Sequence, residues 1–410
     1  MVGESLRDRL MALESAGELS TLVRRVRVRT VGCVAELDDP RVALTAQTAQ
    51  LLTALGLRVL VETGAGVQSH VTDDQYRAAG ASLGDRDHVL AQADVLLQIN
   101  PALNPARREP ETDEQDIERL EKPQTTRIET ETNVCDSTAP GLTTAAGLTT
   151  AAGVTTAAGV TTAAGLTGAL RPGTVLISLL QPAQNAAVVS ELRAKGVLAF
   201  ALDQVPRGPR AAAFDVVGSL AQIAGCRAVV EASQHFGRFL GGQMTAAGRI
   251  PPALVLVLGA GAAGLAAVET AKKMGAVVRC FDTRLHTRVA VTALGAEFLS
   301  LPAPHEGADP ATFVAAEEAL LQTQTAEVDI VVAAAVVPGR SPRLISQHMV
   351  DAMRRGSVTV DLAAADGGNI ETTVPDTVYL TPNGVTCIGF TDLTTRAPAQ
   401  ASQAFARSAA

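Results

Sequence analysis

The chain of 410 residues is long enough for two domains of ordinary size, and its composition, with 47% hydrophobic residues, is that of a globular protein. Its formal net charge of -8 argues against nucleic acid as the main partner, because nucleic-acid binding draws on clustered positive charge. No apolar stretch reaches the roughly 18 residues of a membrane span, and the five cysteines lack metal-ligand spacing, so neither a direct membrane span nor a metal site is expected.

The first hundred residues predict an N-terminal extension and then the start of a parallel sheet. Residues 1–26 contain arginines but also four acidic residues, and transit peptides are poor in acids, so a short solvated helix is the better prediction. Apolar runs predict strands at 26–34, 57–61 and 95–99, with helices at 45–55 and 72–79 between them. Strands that alternate with helices in this way indicate a parallel sheet.

Regular patterning fails between residues 104 and 169. The hexapeptide G-[LV]-T-T-A-A is copied four times from Gly141 to Ala164. Six-residue repeats can build a parallel β-helix, but alanine stands here where such a solenoid needs large core residues. We therefore interpret 104–169 as a low-complexity surface insertion in the first domain.

The sheet pattern resumes after the insertion. A strand is predicted at 174–180, a helix that ends at Lys195, and a strand at 197–202. A long helix from Asp215 to Thr245, with a possible break at Gly225, is then predicted to lead into a second domain.

The stretch 254–282 carries the strongest functional signal. The run L-V-L-V-L is typical of a buried parallel strand, and Gly259, Gly261 and Gly264 follow it with the spacing G-x-G-x-x-G. In this pattern the first glycine permits a tight turn, the second lets a pyrophosphate approach the backbone, and the third lets the helix pack on the strand. The helix predicted at 261–274 directs its free N–H groups at that pyrophosphate. A strand at 277–281 ends at Asp282, where an acid accepts hydrogen bonds from the adenosine ribose and repels a 2′-phosphate, so NAD(H) is the predicted cofactor.

The remaining elements complete the second domain. Helices are predicted at 288–294 and 311–322, and strands at 297–299, 328–335 and 357–362. The predicted fold class is α/β, with two doubly wound Rossmann-like domains built on parallel sheets and NAD in the interdomain cleft. The first domain is predicted to be discontinuous, with residues 27–214 plus 376–410, and the NAD(H)-binding domain to comprise 215–375, including the linking helix.

Motifs along the chain are together similar to those of the NAD(H)-binding component of proton-translocating NAD(P) transhydrogenase, in a family that also includes alanine dehydrogenase. The glycine turn continues as G-A-G-A-A-G-L-A-A, and F-D-T-R follows at 281–284. The other matching motifs are R-V-A at 41–43, E-T-G-A-G at 62–66, Q-P-A-Q-N at 181–185, A-G-C-R-A at 224–228, G-A-E-F at 295–298, V-D-L-A-A at 360–364, G-G-N at 367–369 and G-F-T-D-L at 389–393. The resemblance extends from about residue 31 to residue 405, outside the insertion.

The resemblance implies a component that passes hydride from NADH to NADP⁺ on a separate NADP(H)-binding component, while a membrane-spanning component couples the transfer to proton movement. It also implies a homodimer that lies peripherally on an energy-transducing membrane, on the cytoplasmic or mitochondrial matrix side. Carried over by position, Arg207 and Asp215 are the charged residues around the dihydronicotinamide, with a helix-start ion pair as the alternative. The implied NAD contacts beyond the three glycines are Ala262, Asp282, Thr283, Arg284, Ala335 and Val336.

Two positions depart from the family pattern. A glutamine of the hydride-transfer loop is Ala212 in this chain, and a serine one turn beyond Asp215 is Gly218. The family's mobile loop is also shortened, to 301–310. A catalytically weakened NAD-binding homologue with a regulatory or assembly role is therefore the alternative interpretation.

An alanine dehydrogenase ranks third among the interpretations. At the positions of that enzyme's lysine and histidine the chain has Gln98 and either Leu180 or Gln181, which provide no acid/base pair for the reduction of an oxo-acid. The chain ends at Ala410, where the family's last helix would still be under way, so a fragment is also considered.

Overall fold

The computed structural model describes residues 28–100, 169–206, 208–301, 310–336 and 341–409. Arg207, the predicted extension 1–26 and all but the last residue of the predicted insertion 104–169 lie outside the described residues. The described residues form two large sheets and one two-stranded sheet.

The first sheet is a parallel, doubly wound sheet. Its six strands are β1 (Thr30–Cys33), β2 (Arg58–Glu62), β3 (Ser82–Gly84), β4 (Val95–Leu97), β5 (Val175–Ser178) and β6 (Leu198–Ala201). They pair in parallel in the order β3-β2-β1-β4-β5-β6, which is the strand order of a Rossmann sheet. The helices between them are α1 (Ala46–Ala54), α2 (Asp73–Ala78), α3 (Arg86–Gln92) and α4 (Ala186–Ala194).

A long helix and a hairpin connect the two large sheets. Helix α5 (Val216–His235) follows a 3-10 helix at Pro209–Phe214, and the antiparallel hairpin consists of β7 (Gln243–Thr245) and β8 (Gly248–Ile250). The side chains of Val216 and Leu220 lie in the core of the first sheet, whereas Ala228 and Val229 lie in the core of the second. Helix α5 therefore belongs to both hydrophobic cores.

The second sheet repeats the same winding. Its strands are β9 (Leu254–Leu258), β10 (Val277–Phe281), β11 (Glu297–Leu299), β12 (Ile330–Ala333), β13 (Val358–Asp361), β14 (Val378–Leu380) and β15 (Thr386–Ile388). Their order is β11-β10-β9-β12-β13-β15-β14, and β14 at the edge is antiparallel to β15. The helices are α6 (Ala262–Lys273), α7 (Arg288–Ala293), α8 (Pro310–Glu327), α9 (Gln347–Asp351) and α10 (Pro398–Ala409). The predicted fold class is confirmed.

The long helix differs from its prediction in two ways. It ends at His235 rather than Thr245, and the hairpin occupies the rest of the predicted span. It is also unbroken at Gly225, because this glycine serves close packing: a Cβ atom there would collide with the carbonyl oxygen of Ala263 in α6. The glycine that resembles a helix break therefore lets α5 lie directly against the start of α6.

The predicted domain boundary at 375/376 is too early. Strands β14 and β15 belong to the second sheet, because β15 pairs in parallel with β13 and buries Cys387 and Ile388. The chain rejoins the first core only with α10, whose Ala401 and Phe405 are buried there. A three-residue buried strand is too short for hydrophobic periodicity to assign.

Candidate functional site

The first glycine of the turn after β9 is required by backbone geometry. Gly259 has φ of +90°, a region that side chains disfavour. A Cβ atom at this position would lie 2.8 Å from the carbonyl oxygen of Ala334 and 3.1 Å from the Cα atom of Ala335. The turn therefore packs against the carboxyl end of β12, at the point where the strand order reverses and where doubly wound sheets bind their ligands.

The other two glycines have different surroundings. A Cβ atom at Gly264 would collide with the carbonyl oxygen of Gly259, so this glycine permits the contact between helix and turn. Gly261 is the N-cap of α6 with φ of −79° and ψ of −171°, a conformation open to any residue, and a Cβ atom there would meet nothing within 4 Å. The structure thus has open space at Gly261, in front of the helix that begins at Ala262 and has free N–H groups in its first turn.

Asp282 is held next to this turn. One carboxylate oxygen, Oδ2, accepts a hydrogen bond of 2.6 Å from the backbone N–H of Ala260, and Oδ1 accepts one of 2.8 Å from the N–H of Arg284. Only 6% of Asp282 is exposed. Burial raises its pKa, but the hydrogen bonds from Arg284 and Ala260 outweigh burial, so the pKa of this carboxyl is lowered and it is ionised at neutral pH.

Arg284 also contacts this carboxylate through its side chain. Its Nε lies 2.9 Å from Oδ1 and its Nη2 lies 2.8 Å from Oδ2, so that together with the two backbone bonds Asp282 accepts four hydrogen bonds. A carboxylate has about four acceptor sites, and all are in use. The guanidinium is 54% exposed, so it has room to withdraw. A ribose hydroxyl can bind Asp282 only when Arg284 releases one of these sites.

The carboxyl end of β12 is fixed by a buried asparagine. Asn369 is fully buried; its Oδ1 accepts a hydrogen bond from the N–H of Ala335, and its Nδ2 donates to the carbonyl oxygens of Ala335 and Pro342. The N–H of Asn369 donates in turn to Oδ2 of the buried Asp361 at 2.7 Å. The sequence indicates this asparagine only through the motif G-G-N, and its clamp on Ala335 depends on contacts that no local pattern indicates.

The other nucleotide contacts expected from the resemblance lie around this edge. Thr283 is exposed between Asp282 and Arg284. Val336 follows Ala335 at the end of β12 and is 49% exposed. The glycines, Asp282, Arg284 and Ala335 are thus brought to one edge of the second sheet, and Thr283 and Val336 are its exposed members.

Asp215 stands apart from this edge, at the start of α5. It is the N-cap of that helix, and its Oδ1 accepts a hydrogen bond of 2.8 Å from the N–H of Gly218. A Cβ atom at Gly218 would collide with the Asp215 carboxylate, so only glycine permits this arrangement. Asp215 lies ten residues before the contact of Gly225 with α6, about 15 Å along the helix axis. Ala212, in the preceding 3-10 helix, is exposed.

The alanine dehydrogenase positions in the first sheet provide no acid/base pair. Gln98 is fully buried, and neither atom of its amide has a hydrogen-bond partner among the described residues. Leu180 is buried, and Gln181 carries a neutral amide.

A buried acid, Glu36, lies near Gln98 at the carboxyl end of β1. It accepts hydrogen bonds from the N–H groups of Ile99 and Asn100, and burial raises its pKa to about 8.

The described ranges contain neither a metal-ligand cluster nor a membrane-spanning helix. Within them, no three His, Cys, Asp or Glu side chains are grouped so as to hold a metal ion. None of the helices in the same ranges combines the length and apolar character needed to cross a membrane.

Comparison with known proteins gives concordant matches along the chain. The family model "Alanine dehydrogenase/PNT, N-terminal domain" matches residues 32–128 and 150–224, and "Alanine dehydrogenase/PNT, C-terminal domain" matches residues 228–410. The chain is 37% identical over 376 residues to NAD(P) transhydrogenase subunit alpha of Cereibacter sphaeroides, with 89% of this chain and 60% of that protein covered. It therefore spans less than two thirds of the length of that relative.

Two further relatives are covered more fully. The first is one of the separate polypeptides of NAD(P) transhydrogenase subunit alpha in Rhodospirillum rubrum; the chain is 32% identical to it over 382 residues, with 90% of this chain and 85% of that protein covered. The second is the crystal structure of a transhydrogenase from Sinorhizobium meliloti, which has a TM-score of 0.73 to this fold at 30% identity, covering 93% of this chain and 91% of that chain.

Proposed function

Because the chain belongs to the alanine dehydrogenase/PNT family, we propose that it is the NAD(H)-binding component of a proton-translocating NAD(P) transhydrogenase. In this role it passes hydride from NADH to NADP⁺ held on a separate NADP(H)-binding component, and a membrane-spanning component couples the transfer to proton movement. The names of the matched relatives in Cereibacter sphaeroides and Rhodospirillum rubrum support this proposal.

The observation that carries the proposal is the open space at Gly261. A pyrophosphate fits there because Gly261 has no side chain, and the first N–H groups of α6 donate to it. Asp282 accepts from the ribose hydroxyls once Arg284 releases an acceptor site, and its negative charge opposes a 2′-phosphate. The residues present therefore fit NAD(H) better than NADP(H), in the cleft beside the carboxyl ends of the second sheet's strands.

NADH supplies the hydride, and the protein needs no acid or base for its transfer between two nicotinamide rings. The task of the loop before α5 is to position the ring and exclude water. Arg207 and Asp215 are proposed to do so. Ala212 and Gly218 lack the amide and hydroxyl of the family pattern; at ~1–3 kcal/mol for each positioning hydrogen bond, their loss slows transfer by roughly one to four decades.

A catalytically weakened homologue with a regulatory or assembly role is the second candidate. The observation that favours it is the N-cap bond of Asp215, because a carboxylate that accepts from the N–H of Gly218 is engaged in holding the helix start. Side-chain bonds to the helix terminus compete directly with bonds to a ligand. Such a protein would bind NADH tightly and transfer hydride slowly or not at all.

We further propose that the chain forms a homodimer through the β7–β8 hairpin. Met244 is 79% exposed, Phe239 beside the hairpin is 75% exposed and Ile250 is 43% exposed. Contiguous exposed apolar side chains of this kind mark interaction surfaces. The dimer lies peripherally on the membrane component, on the cytoplasmic or mitochondrial matrix side.

The test of the proposed function combines binding with turnover. NADH is titrated by fluorescence, and reduction of an NADP⁺ analogue is then followed after mixing the chain with the NADP(H)-binding component of a relative. NADH binding with turnover, even slow, supports the transhydrogenase. NADH binding without turnover supports the weakened homologue, and absence of NADH binding contradicts both.

A further inference from the structure

A cavity of about 350 Å³ lies at the opposite edge of the second sheet from the glycine turn. Its walls come from three segments: the chain just after α5, the residue before β12, and the loop before β13. These are the amino ends of strands whose carboxyl ends form the nucleotide edge. The cavity is therefore separate from the proposed NAD(H) site. Its lining includes the side chains of Phe236, Arg238, Asp329, Arg354, Arg355 and Ser357.

One arginine of the cavity is held in place by protein contacts. The guanidinium carbon of Arg238 lies 5.0 Å from the centre of the Phe236 ring, and its Nη2 lies 2.8 Å from Oδ2 of Asp329. Asp329 is 10% exposed, and its Oδ2 also accepts a hydrogen bond from the N–H of Leu254. The carboxylate is thus committed to the sheet and to Arg238, and it neutralises one positive charge.

The other polar groups of the cavity are incompletely partnered. Nη1 of Arg354 is 3.8 Å from Asp329, beyond hydrogen-bond distance, and Arg355 makes no ion pair or hydrogen bond with any described residue. Ser357 is only 2% exposed, yet its hydroxyl also lacks a partner among the residues that the structure describes. A buried hydroxyl without a partner is unfavourable unless something in the cavity bonds to it.

We propose that this cavity binds a phosphate group, either as inorganic phosphate or as the end of a small phosphate monoester. Three arginines against one carboxylate leave two positive charges uncompensated, which matches a phosphate dianion. Guanidinium forks and a hydroxyl are the donors that phosphate oxygens accept from most strongly, and Arg238 is pre-organised by Phe236 and Asp329. The chain thus has a second anion site, independent of its proposed activity.

The test measures phosphate binding to the whole chain by titration calorimetry at constant ionic strength, with and without saturating NADH. Arg355→Gln and Ser357→Ala are the test variants, and Arg58→Gln is the matched control, because Arg58 is an exposed arginine on the first sheet. We expect one phosphate per chain, a roughly tenfold weaker affinity in Arg355→Gln, a smaller loss in Ser357→Ala, and no change in Arg58→Gln.

A parallel titration with glycerol phosphate distinguishes a monoester from the free ion, since the tighter of the two identifies the ligand class. Binding should persist in the Gly261→Ala variant, whose nucleotide site is altered, so failure of the proposed function does not affect this test. The proposal is wrong if phosphate does not bind at millimolar concentrations. It is also wrong if the Arg58→Gln control weakens binding as much as the two cavity variants do, which would indicate general charge attraction.

Discussion

Replacing Gly261 with alanine separates ligand binding from folding more cleanly than any other change in the nucleotide edge. The glycine has ordinary φ and ψ angles, and an added Cβ atom meets nothing within 4 Å. Alanine is a poorer N-cap than glycine by about 1 kcal/mol, but it lowers the entropy of the unfolded chain, which stabilises by ~0.4–1 kcal/mol. The two effects nearly cancel, so the free energy of unfolding should change by less than about 0.5 kcal/mol.

The same methyl group occupies the place where the pyrophosphate approaches the backbone. We therefore expect the Kd for NADH in Gly261→Ala to rise roughly 10- to 100-fold, which is about 1.4–2.8 kcal/mol of binding free energy. Fluorescence titration measures the Kd, and urea denaturation measures the stability.

Two control variants complete the experiment. Gly264→Ala should lose about 1–3 kcal/mol of stability, because its Cβ atom collides with the carbonyl oxygen of Gly259. Gly237→Ala, which also meets nothing within 4 Å, should change neither quantity. If Gly261→Ala folds and binds NADH as tightly as the parent chain, the pyrophosphate does not approach Gly261, and our account of the site is refuted.

Three further predictions concern the clamp, the buried acid and the hydride-transfer loop. Asn369→Ala should lower the free energy of unfolding by about 2–4 kcal/mol and weaken NADH binding, because it leaves buried groups of Ala335 and Pro342 without partners; an unchanged thermal midpoint would contradict the clamp. Glu36 has its pKa raised to about 8, so the folded state keeps a proton that the unfolded chain loses at pH ~4.3. The free energy of unfolding should therefore fall as pH rises between these values, by at most about 1.4 kcal/mol per pH unit. Urea denaturation at several pH values should show that Glu36→Gln removes this decline, and an equal slope in both proteins would count against it. Ala212→Gln should raise the hydride-transfer rate about tenfold without altering the Kd for NADH, while the neighbouring Ala213→Gln should not.

The central strand, turn and helix of the second domain could be predicted from sequence almost residue by residue. The apolar run 254–258 can only be a short buried strand, and the three glycines fix where the turn and the helix begin. The strand that leads to Asp282 is likewise observed with its predicted bounds, 277–281. These elements are set by local chemistry, so local patterns suffice.

The end of α5 shows where such patterns mislead. Ala232, Phe236 and Leu240 are all buried and four residues apart, which is the spacing of a helix face. The chain nevertheless leaves the helix after His235, and Phe236 and Leu240 reach the same core from an irregular segment. Periodicity records which residues are buried, and tertiary packing decides the backbone that buries them.

Side-chain placement at the site lies beyond the reach of the sequence. The sequence predicts Asp282 as the ribose acceptor, but its saturation by Arg284 depends on a rotamer. The resemblance likewise places Asp215 at the cofactor, whereas in the structure it is the N-cap of α5, because Gly218 leaves room for its carboxylate. Both arrangements arise from space that a single neighbouring residue provides.

The central claim is that this chain hands hydride from NADH directly to NADP⁺ on a partner component. The most direct measurement uses NADH deuterated at the transferred position, NADP⁺ and the NADP(H)-binding component of a relative, in ordinary water, with mass analysis of the product. We predict that the NADPH formed carries the deuterium, because the ring-to-ring step needs no acid or base and exchanges nothing with solvent. NADPH without deuterium, or no NADPH although NADH is bound, would contradict the account.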